Sequence, residues 1–333
     1  MKAIAMTATG NPEVLQLQEM PDPKMENPTE ILVRLQAAGV NPIDTKLRRR
    51  GTLYSDSMPV ILGCDGAGVV EAVGSSVQQF QVGEEVYFCQ GGLGKSGTGN
   101  YAQFAVVDER FVASKPTSLS FAEAAAAPLV LITAWEALYD RGRLEAGQRV
   151  LVHAGTGGVG HVAIQLAKLR GAEVCTTVST GEKADLARQL GADYAILYQQ
   201  TDFVQAVRDW TEGKGVELAF DTVGGENFAR SFGAVQLYGD IVTTLQPDAQ
   251  TDWKTARSRN LRIGLELMLT PQLEENVEAQ QAQASILQQC ARLIDQGRLK
   301  IHYETFPLEE AAAAHQQLES GSMIGKIALV INH

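Results

Sequence analysis

The run Val150-Leu151-Val152-His153-Ala154-Gly155-Thr156-Gly157-Gly158-Val159-Gly160-His161 constrains the fold of this chain more than any other stretch. A short apolar segment leads into a glycine-rich turn, and Val162, Leu166 and Leu169 then mark one face of a helix. Glycines alone are weak evidence, because every turn collects them. A strand before the turn and a helix after it supply the context that a dinucleotide-binding loop requires. Gly155 permits the tight turn, Gly157 or Gly158 lets the backbone approach a pyrophosphate, and Gly160 lets the helix pack on the sheet. Val159 stands at the helix start, where N–H groups without intrahelical partners offer partial positive charge to phosphates.

The same alternation continues downstream. Strand-like runs at 174–178, 194–198, 216–220 and 239–245 are separated by helical segments such as 182–190. Strands and helices alternating at this spacing predict parallel βαβ units, hence a doubly wound parallel sheet of Rossmann type. The flanks read differently. Ile31, Val33 and Leu35 follow a period of two, and further short strands are expected at 63–73, 85–88 and 101–107 between turn residues. An alanine-rich helical stretch runs from Ala122 past Pro128 to Leu138. The tail holds helices at 284–296, closed by Gly297, and at 309–318, then a strand at 327–331. The expected layout is a Rossmann domain over 126–268, inserted into a β-rich domain formed by 1–125 and 269–333. A length of 333 residues suits two domains of ~100–200 residues each.

Charge narrows the partners. With 28 basic and 39 acidic residues the formal net charge is −11, which disfavours nucleic acid or an acidic membrane surface as a general partner. The one basic run, Arg48-Arg49-Arg50, is too short for a nucleic-acid footprint and is expected to be a solvated loop or to pair with nearby acids. No apolar run approaches the ~20 residues that span a bilayer. The N-terminal Met1–Met6 segment is expected to be a first strand and not a secretory signal. Cys64, Cys89, Cys175 and Cys290 are scattered and form no C-x-x-C pair, so neither a zinc knuckle nor a redox motif is supported. A cytoplasmic location is expected.

The second strand bears on cofactor choice. It ends Thr177-Val178-Ser179-Thr180-Gly181, without the Asp or Glu that holds both ribose hydroxyls in an NAD site. Ser179 and Thr180 offer donors to a 2′-phosphate, and Lys183 offers a counter-charge, although Glu182 lies beside it. NADP(H) is the expected cofactor. Lys183 read blandly is an exposed helix lysine.

Several motifs carry a family resemblance over nearly the whole chain: Ala37-Ala38-Gly39-Val40-Asn41-Pro42-Ile43-Asp44-Thr45, Gly63-Cys64-Asp65-Gly66-Ala67-Gly68, Thr133-Ala134-Trp135, the glycine loop, and Gly325-Lys326-Ile327. With these the chain resembles the medium-chain dehydrogenase/reductases, and within them the quinone oxidoreductase branch. That resemblance implies that the β-rich part is a GroES-like catalytic domain. It implies that Asn41 lies near nicotinamide and substrate, that Tyr54 lies at the substrate cleft, that Thr133 contacts the carboxamide end of the cofactor, and that Tyr198 lines the 2′-phosphate pocket with Ser179 and Lys183. Asn41 could otherwise be a turn residue before Pro42, Tyr54 an exposed loop aromatic, and Tyr198 a cap on the third strand. Lys46 stands where the family often has an aromatic.

The zinc alcohol dehydrogenases of the same superfamily have a Cys where this chain has Asn41 and a His where it has Cys64; their third ligand falls near Leu129. A lone Cys64 cannot build the tetrahedral N/S site that zinc prefers, and it is expected to be a buried packing residue. No metal site is expected. Asp44 is expected in a strand-turn segment as a structural carboxylate, and no catalytic role is assigned to His153 or His161.

The resulting expectation is a zinc-free, NADPH-dependent oxidoreductase that transfers hydride to a quinone. Reduction of α,β-unsaturated aldehydes, ketones or enoyl thioesters needs the same flat apolar cleft, and the sequence does not separate the two. A low-turnover NADPH-binding structural or regulatory protein is the alternative of another class. Relatives dimerise through a strand matching 262–268, so a homodimer is expected.

Overall fold

The computed structural model describes residues 1–54, 58–95 and 97–333. It divides into two compact units, Met1–Leu129 with Thr270–His333, and Val130–Leu269. These borders lie four residues and one residue beyond those expected from the sequence. The first falls inside the helix Pro128–Trp135, because the alanine-rich stretch is broken at Pro128 into the helices Phe121–Ala126 and Pro128–Trp135.

The Val130–Leu269 unit is built on a six-stranded parallel sheet. Its strands are, in chain order, Arg149–Val152, Glu173–Val178, Tyr194–Leu197, Val216–Asp221, Val235–Thr243 and Arg262–Leu265. Across the sheet they run third, second, first, fourth, fifth, sixth. Both faces are covered, so the central strands are apolar throughout: Val150, Leu151 and Val152 are all completely buried. Phe203, Phe228, Phe232 and Ile241 pack with Leu151 and Cys175 into the core under the helices, each contributing roughly 1.5–3 kcal/mol by burial. The chain order reverses between the first and fourth strands, the switch point where ligands bind in sheets of this topology.

The other unit centres on the long strand Glu30–Val40. It pairs antiparallel with Asp65–Val73, with Phe104–Asp108 and with the closing strand Lys326–Val330. Register sets up the site: Val40 faces Ile327 and Gly39 faces Asp65, which brings Asn41, Asp65 and Lys326 to one end of the sheet. Gly39 is needed there, since a Cβ would lie 2.3 Å from the carbonyl oxygen of Ala125 on the overlying helix. A second sheet joins Lys2–Met6 to Leu15–Glu19 and Val60–Ile61.

Two expectations are corrected. Asp44 lies on a helix, Pro42–Arg50, and not in a strand-turn segment. Arg48–Arg50 form the last turn of that helix and not a loop, with Arg48 completely buried, whereas the pairing with acids that was also expected is present, Arg48 and Arg49 both meeting Glu319. Strand bounds also move, with Tyr101 preceding the strand Phe104–Asp108 and the fifth parallel strand beginning at Val235. Among the described residues no helix is long and apolar enough to cross a membrane.

Candidate active site

In the parallel-sheet unit the glycine loop follows the first strand at the switch point. Gly155 and Gly160 are buried, whereas Gly157, Gly158 and Val159 are partly exposed. A Cβ on Gly155 would stand 2.0 Å from Thr176 Oγ1, and one on Gly160 would stand 2.2 Å from the Ala154 carbonyl oxygen. These two glycines therefore let the turn close against the sheet. The residues between them lead into the helix Gly160–Leu169, where no side chain caps the N-terminus, and the Gly157 N–H donates to the Ala154 carbonyl at 2.9 Å. Ala154 takes a left-handed φ of 51°, unusual for a residue with a Cβ, and its N–H donates to Thr177 Oγ1 at 3.2 Å.

Ser179 and Tyr198 follow the C-terminal ends of the second and third strands, and Lys183 lies in the helix that opens after the second. The Tyr198 N–H donates to the Val178 carbonyl, which sets Tyr198 next to Ser179. Thr180 Oγ1 accepts from the Lys183 N–H at 3.2 Å, capping the helix Gly181–Gln189 and fixing Lys183 in its first turn. Tyr198, just past the third strand, is 51% exposed. Thr133 is buried in the helix Pro128–Trp135.

His153, which no sequence pattern pairs with another residue, is completely buried between Thr177 Oγ1 at 3.1 Å and Ser231 Oγ at 2.9 Å. Burial pushes its pKa down to about 4, so it is neutral and structural. Asp221, at the end of the fourth strand, accepts from the Gly224 N–H, Asn227 Nδ2 and Thr243 Oγ1 and so ties that loop to the sheet.

The other unit holds a buried polar cluster around Asn41, which begins the helix Pro42–Arg50. The Asn41 N–H donates to Asp44 Oδ2 at 2.8 Å, and Asn41 Nδ2 donates to Asp65 Oδ2 at 2.8 Å. The Lys326 ammonium donates to Asn41 Oδ1 and to the Val40 carbonyl. The amide is thereby bridged between a cation and a carboxylate, and its orientation is set. Burial raises the Asp65 pKa and lowers that of Lys326, and each charge partly restores the other. Burial likewise pushes Asp44 up to about 7. Asp44 Oδ2 also accepts from Tyr101 Oη at 2.9 Å, while its Oδ1 has no partner.

A chain of donors runs into Asp44 from the protein surface. Arg48 donates to Nδ1 of His315, because a guanidinium has nothing to accept with. The ring hydrogen must then sit on His315 Nε2, 3.2 Å from Tyr101 Oη, leaving the phenol to donate onward to Asp44. Arg48 is itself paired with Glu319 and with the Gly10 carbonyl.

Of the site residues expected from the sequence, the glycine loop, Thr133, Ser179, Lys183 and Tyr198 lie in the parallel-sheet unit, and Asn41 and Tyr54 lie in the other. Tyr54 is half-buried, with its carbonyl accepting from Thr52 Oγ1, and it lines a recess together with Phe88 and Leu93. Sequence reasoning missed Asp65, Tyr101, His315 and Lys326 as members of the Asn41 cluster. The Asn-Pro-x-Asp signature of a capped helix would have placed Asp44; the others meet only through tertiary structure.

Residues 27–117 match the family model described as alcohol dehydrogenase GroES-like domain, and residues 190–329 that described as zinc-binding dehydrogenase. The chain is 33% identical to a quinone oxidoreductase of Pseudomonas aeruginosa over 99% of both proteins. The solved structure of an NAD-dependent alcohol dehydrogenase matches with a TM-score of 0.90 at 33% identity, covering 100% of both chains. That of an Escherichia coli quinone oxidoreductase complexed with NADPH matches with a TM-score of 0.85 at 30% identity, over 99% of this chain and 100% of the other. With a GroES-like unit, a Rossmann unit and full-length similarity of this kind, the chain belongs to the medium-chain dehydrogenase/reductase family, in its quinone oxidoreductase-like branch.

Proposed function

We propose that this protein is an NADPH-dependent oxidoreductase that passes hydride to a quinone without a metal. The observation that supports the reading is the tip of the second strand beside the glycine loop, where Ser179 and Thr180 stand in place of a carboxylate, with Lys183 and Glu182 in the first turn of the next helix and Tyr198 just past the third strand. A carboxylate there would repel a 2′-phosphate, whereas a hydroxyl, an ammonium and a phenol favour it. The loop itself fits a dinucleotide. Its close turns leave no room for a Cβ at Gly155 or Gly160, and it leads into a helix whose N-terminus no side chain caps.

When bound, the cofactor supplies the hydride. The remaining tasks fall to the chain. Gly155, Gly157, Gly158, Val159 and Gly160 would hold the pyrophosphate, Ser179, Lys183 and Tyr198 the 2′-phosphate, and Thr133 the carboxamide end. Asn41 would contact nicotinamide and acceptor, with Lys326 and Asp65 fixing its amide. Tyr54 would orient an acceptor oxygen.

Zinc does not fit the donor set around Asn41. The amide oxygen is already engaged by the Lys326 ammonium, which would repel a dication. Burial drives the Cys64 thiol well above its usual range and so disfavours the thiolate that zinc binds. A quinone needs no Lewis acid, because conjugation delocalises the charge that arrives with hydride, and positioning with exclusion of water does most of the work.

Lys183→Glu tests the carrying observation. Hydrogen bonds to charged groups are worth ~1.5–3 kcal/mol, so the dissociation constant for NADPH should rise roughly 10- to 100-fold in a fluorescence titration. Affinity for NADH should hardly change. Unaltered NADPH affinity would remove Lys183 from the site.

A further inference from the structure

Ala154, two residues past the first strand, holds a left-handed φ of 51°. A residue with a Cβ keeps that conformation at a cost, and only where its surroundings impose it. Its carbonyl is the pivot of the glycine loop. It accepts from the Gly157 N–H at 2.9 Å and stands against Gly160, where a Cβ would come within 2.2 Å of it. Whatever fixes Ala154 therefore fixes the turn.

The hold is a row of hydrogen bonds whose directions follow from its far end. Ser231 Oγ, on the helix Gly225–Ser231, donates its one hydrogen to the Asn227 carbonyl at 2.7 Å. His153 Nε2, 2.9 Å from the same Oγ, is then the donor of that contact. With its pKa pushed down to about 4, chiefly by burial, the ring carries a single hydrogen, so Nδ1 is bare and accepts from Thr177 Oγ1 at 3.1 Å. Thr177 Oγ1 is left to accept in turn, and it takes the Ala154 N–H at 3.2 Å. The row ends on the backbone of the strained residue, and beside it the Gly155 N–H donates to the Thr177 carbonyl at 3.1 Å.

We propose that His153 is a positioning residue for the dinucleotide: by setting the direction of the Thr177 hydroxyl it holds Ala154 in its left-handed conformation, and so shapes the turn from Gly155 to Gly160 for a pyrophosphate. The assignment rests on the reading that this turn holds the cofactor's pyrophosphate. Completely buried, His153 acts through the loop backbone and not on the ligand.

Three ligands separate the loop from the rest of the cofactor site. NADPH carries both a pyrophosphate and a 2′-phosphate, NADH only the pyrophosphate, and adenosine 2′-monophosphate only the 2′-phosphate. In fluorescence titrations of the full chain, His153→Leu should weaken NADPH and NADH alike, each about fivefold, the worth of one hydrogen bond. Adenosine 2′-monophosphate, followed by titration calorimetry, should bind as it does to the unaltered protein. His153→Gln should restore both dinucleotides, because its amide oxygen can accept from Thr177 while its NH2 donates to Ser231. Thr177→Val removes the acceptor of the Ala154 N–H and should lose at least as much as His153→Leu, which keeps the test open if the latter does not fold. Unchanged dinucleotide affinity in these two variants, an equal loss for adenosine 2′-monophosphate, or no recovery in His153→Gln would overturn the assignment. Failure of the loop reading has its own signature: the unaltered protein would bind NADPH no more tightly than adenosine 2′-monophosphate, and the role of His153 would fall with it.

Discussion

Asp44 sits completely buried beside Asn41, accepting from the Asn41 N–H and from Tyr101, with Lys326 and Asp65 as its charged neighbours. Burial, chiefly, holds its pKa at about 7, against about 4 in an unfolded chain. Between those values the folded protein keeps a proton that the unfolded chain gives up. The stability from this group is therefore complete below about pH 4 and is lost as pH rises through about 7. Asp44→Asn carries no such proton, and its amide oxygen can still accept from Asn41 and Tyr101. Any stability advantage of the unaltered protein over Asp44→Asn should thus shrink from pH 5 to pH 7, at up to ~1.4 kcal/mol per pH unit. Thermal melts at pH 5, 6, 7 and 8 check this, and a constant gap between the two would contradict it. The residues of this cluster divide cleanly in how far they could be read. The dinucleotide loop lies within twelve consecutive residues, and its chemistry is local enough to be legible. Lys326 meets Asn41 across 285 positions and Arg48 meets Glu319 across 271, so no local pattern announces either pair.

Elements were legible where periodicity was long and hidden where they were short. The six parallel strands follow from apolar runs flanked by helices, and the switch point follows from their order. The helix Pro42–Arg50 carries few apolar residues, so its capping residues and not its periodicity mark it. The sixth strand, Arg262–Leu265, ends the sheet and pairs only with Val235–Thr243 among the described strands. Leu265 on this strand and Leu267 just past it are 60% and 55% exposed. An open edge with exposed leucines favours pairing with a second copy. Light scattering at micromolar concentration should therefore give about twice the 35.9 kDa chain mass, and Leu265→Arg should halve it. A monomeric unaltered protein would end the dimer proposal.

The whole molecule carries a net charge of −11, yet its proposed cofactor is itself a polyanion. On the proposed reading attraction is local, supplied by the N-terminus of the helix Gly160–Leu169 and by Lys183, and not by the field of the protein as a whole. The Asn41 cluster makes a similar point in the other unit, where one buried ammonium and the Asp65 carboxyl fix the side-chain amide and Asp44 holds the backbone N–H of the same residue. Hydride transfer to a conjugated acceptor asks for placement and dryness more than for a Lewis acid. The most direct test is steady-state NADPH consumption with 9,10-phenanthrenequinone, measured before and after exhaustive dialysis against a metal chelator. The expected result is quinone-dependent NADPH oxidation that chelation leaves unchanged; turnover lost on chelation, or no quinone-dependent oxidation at all, would contradict it.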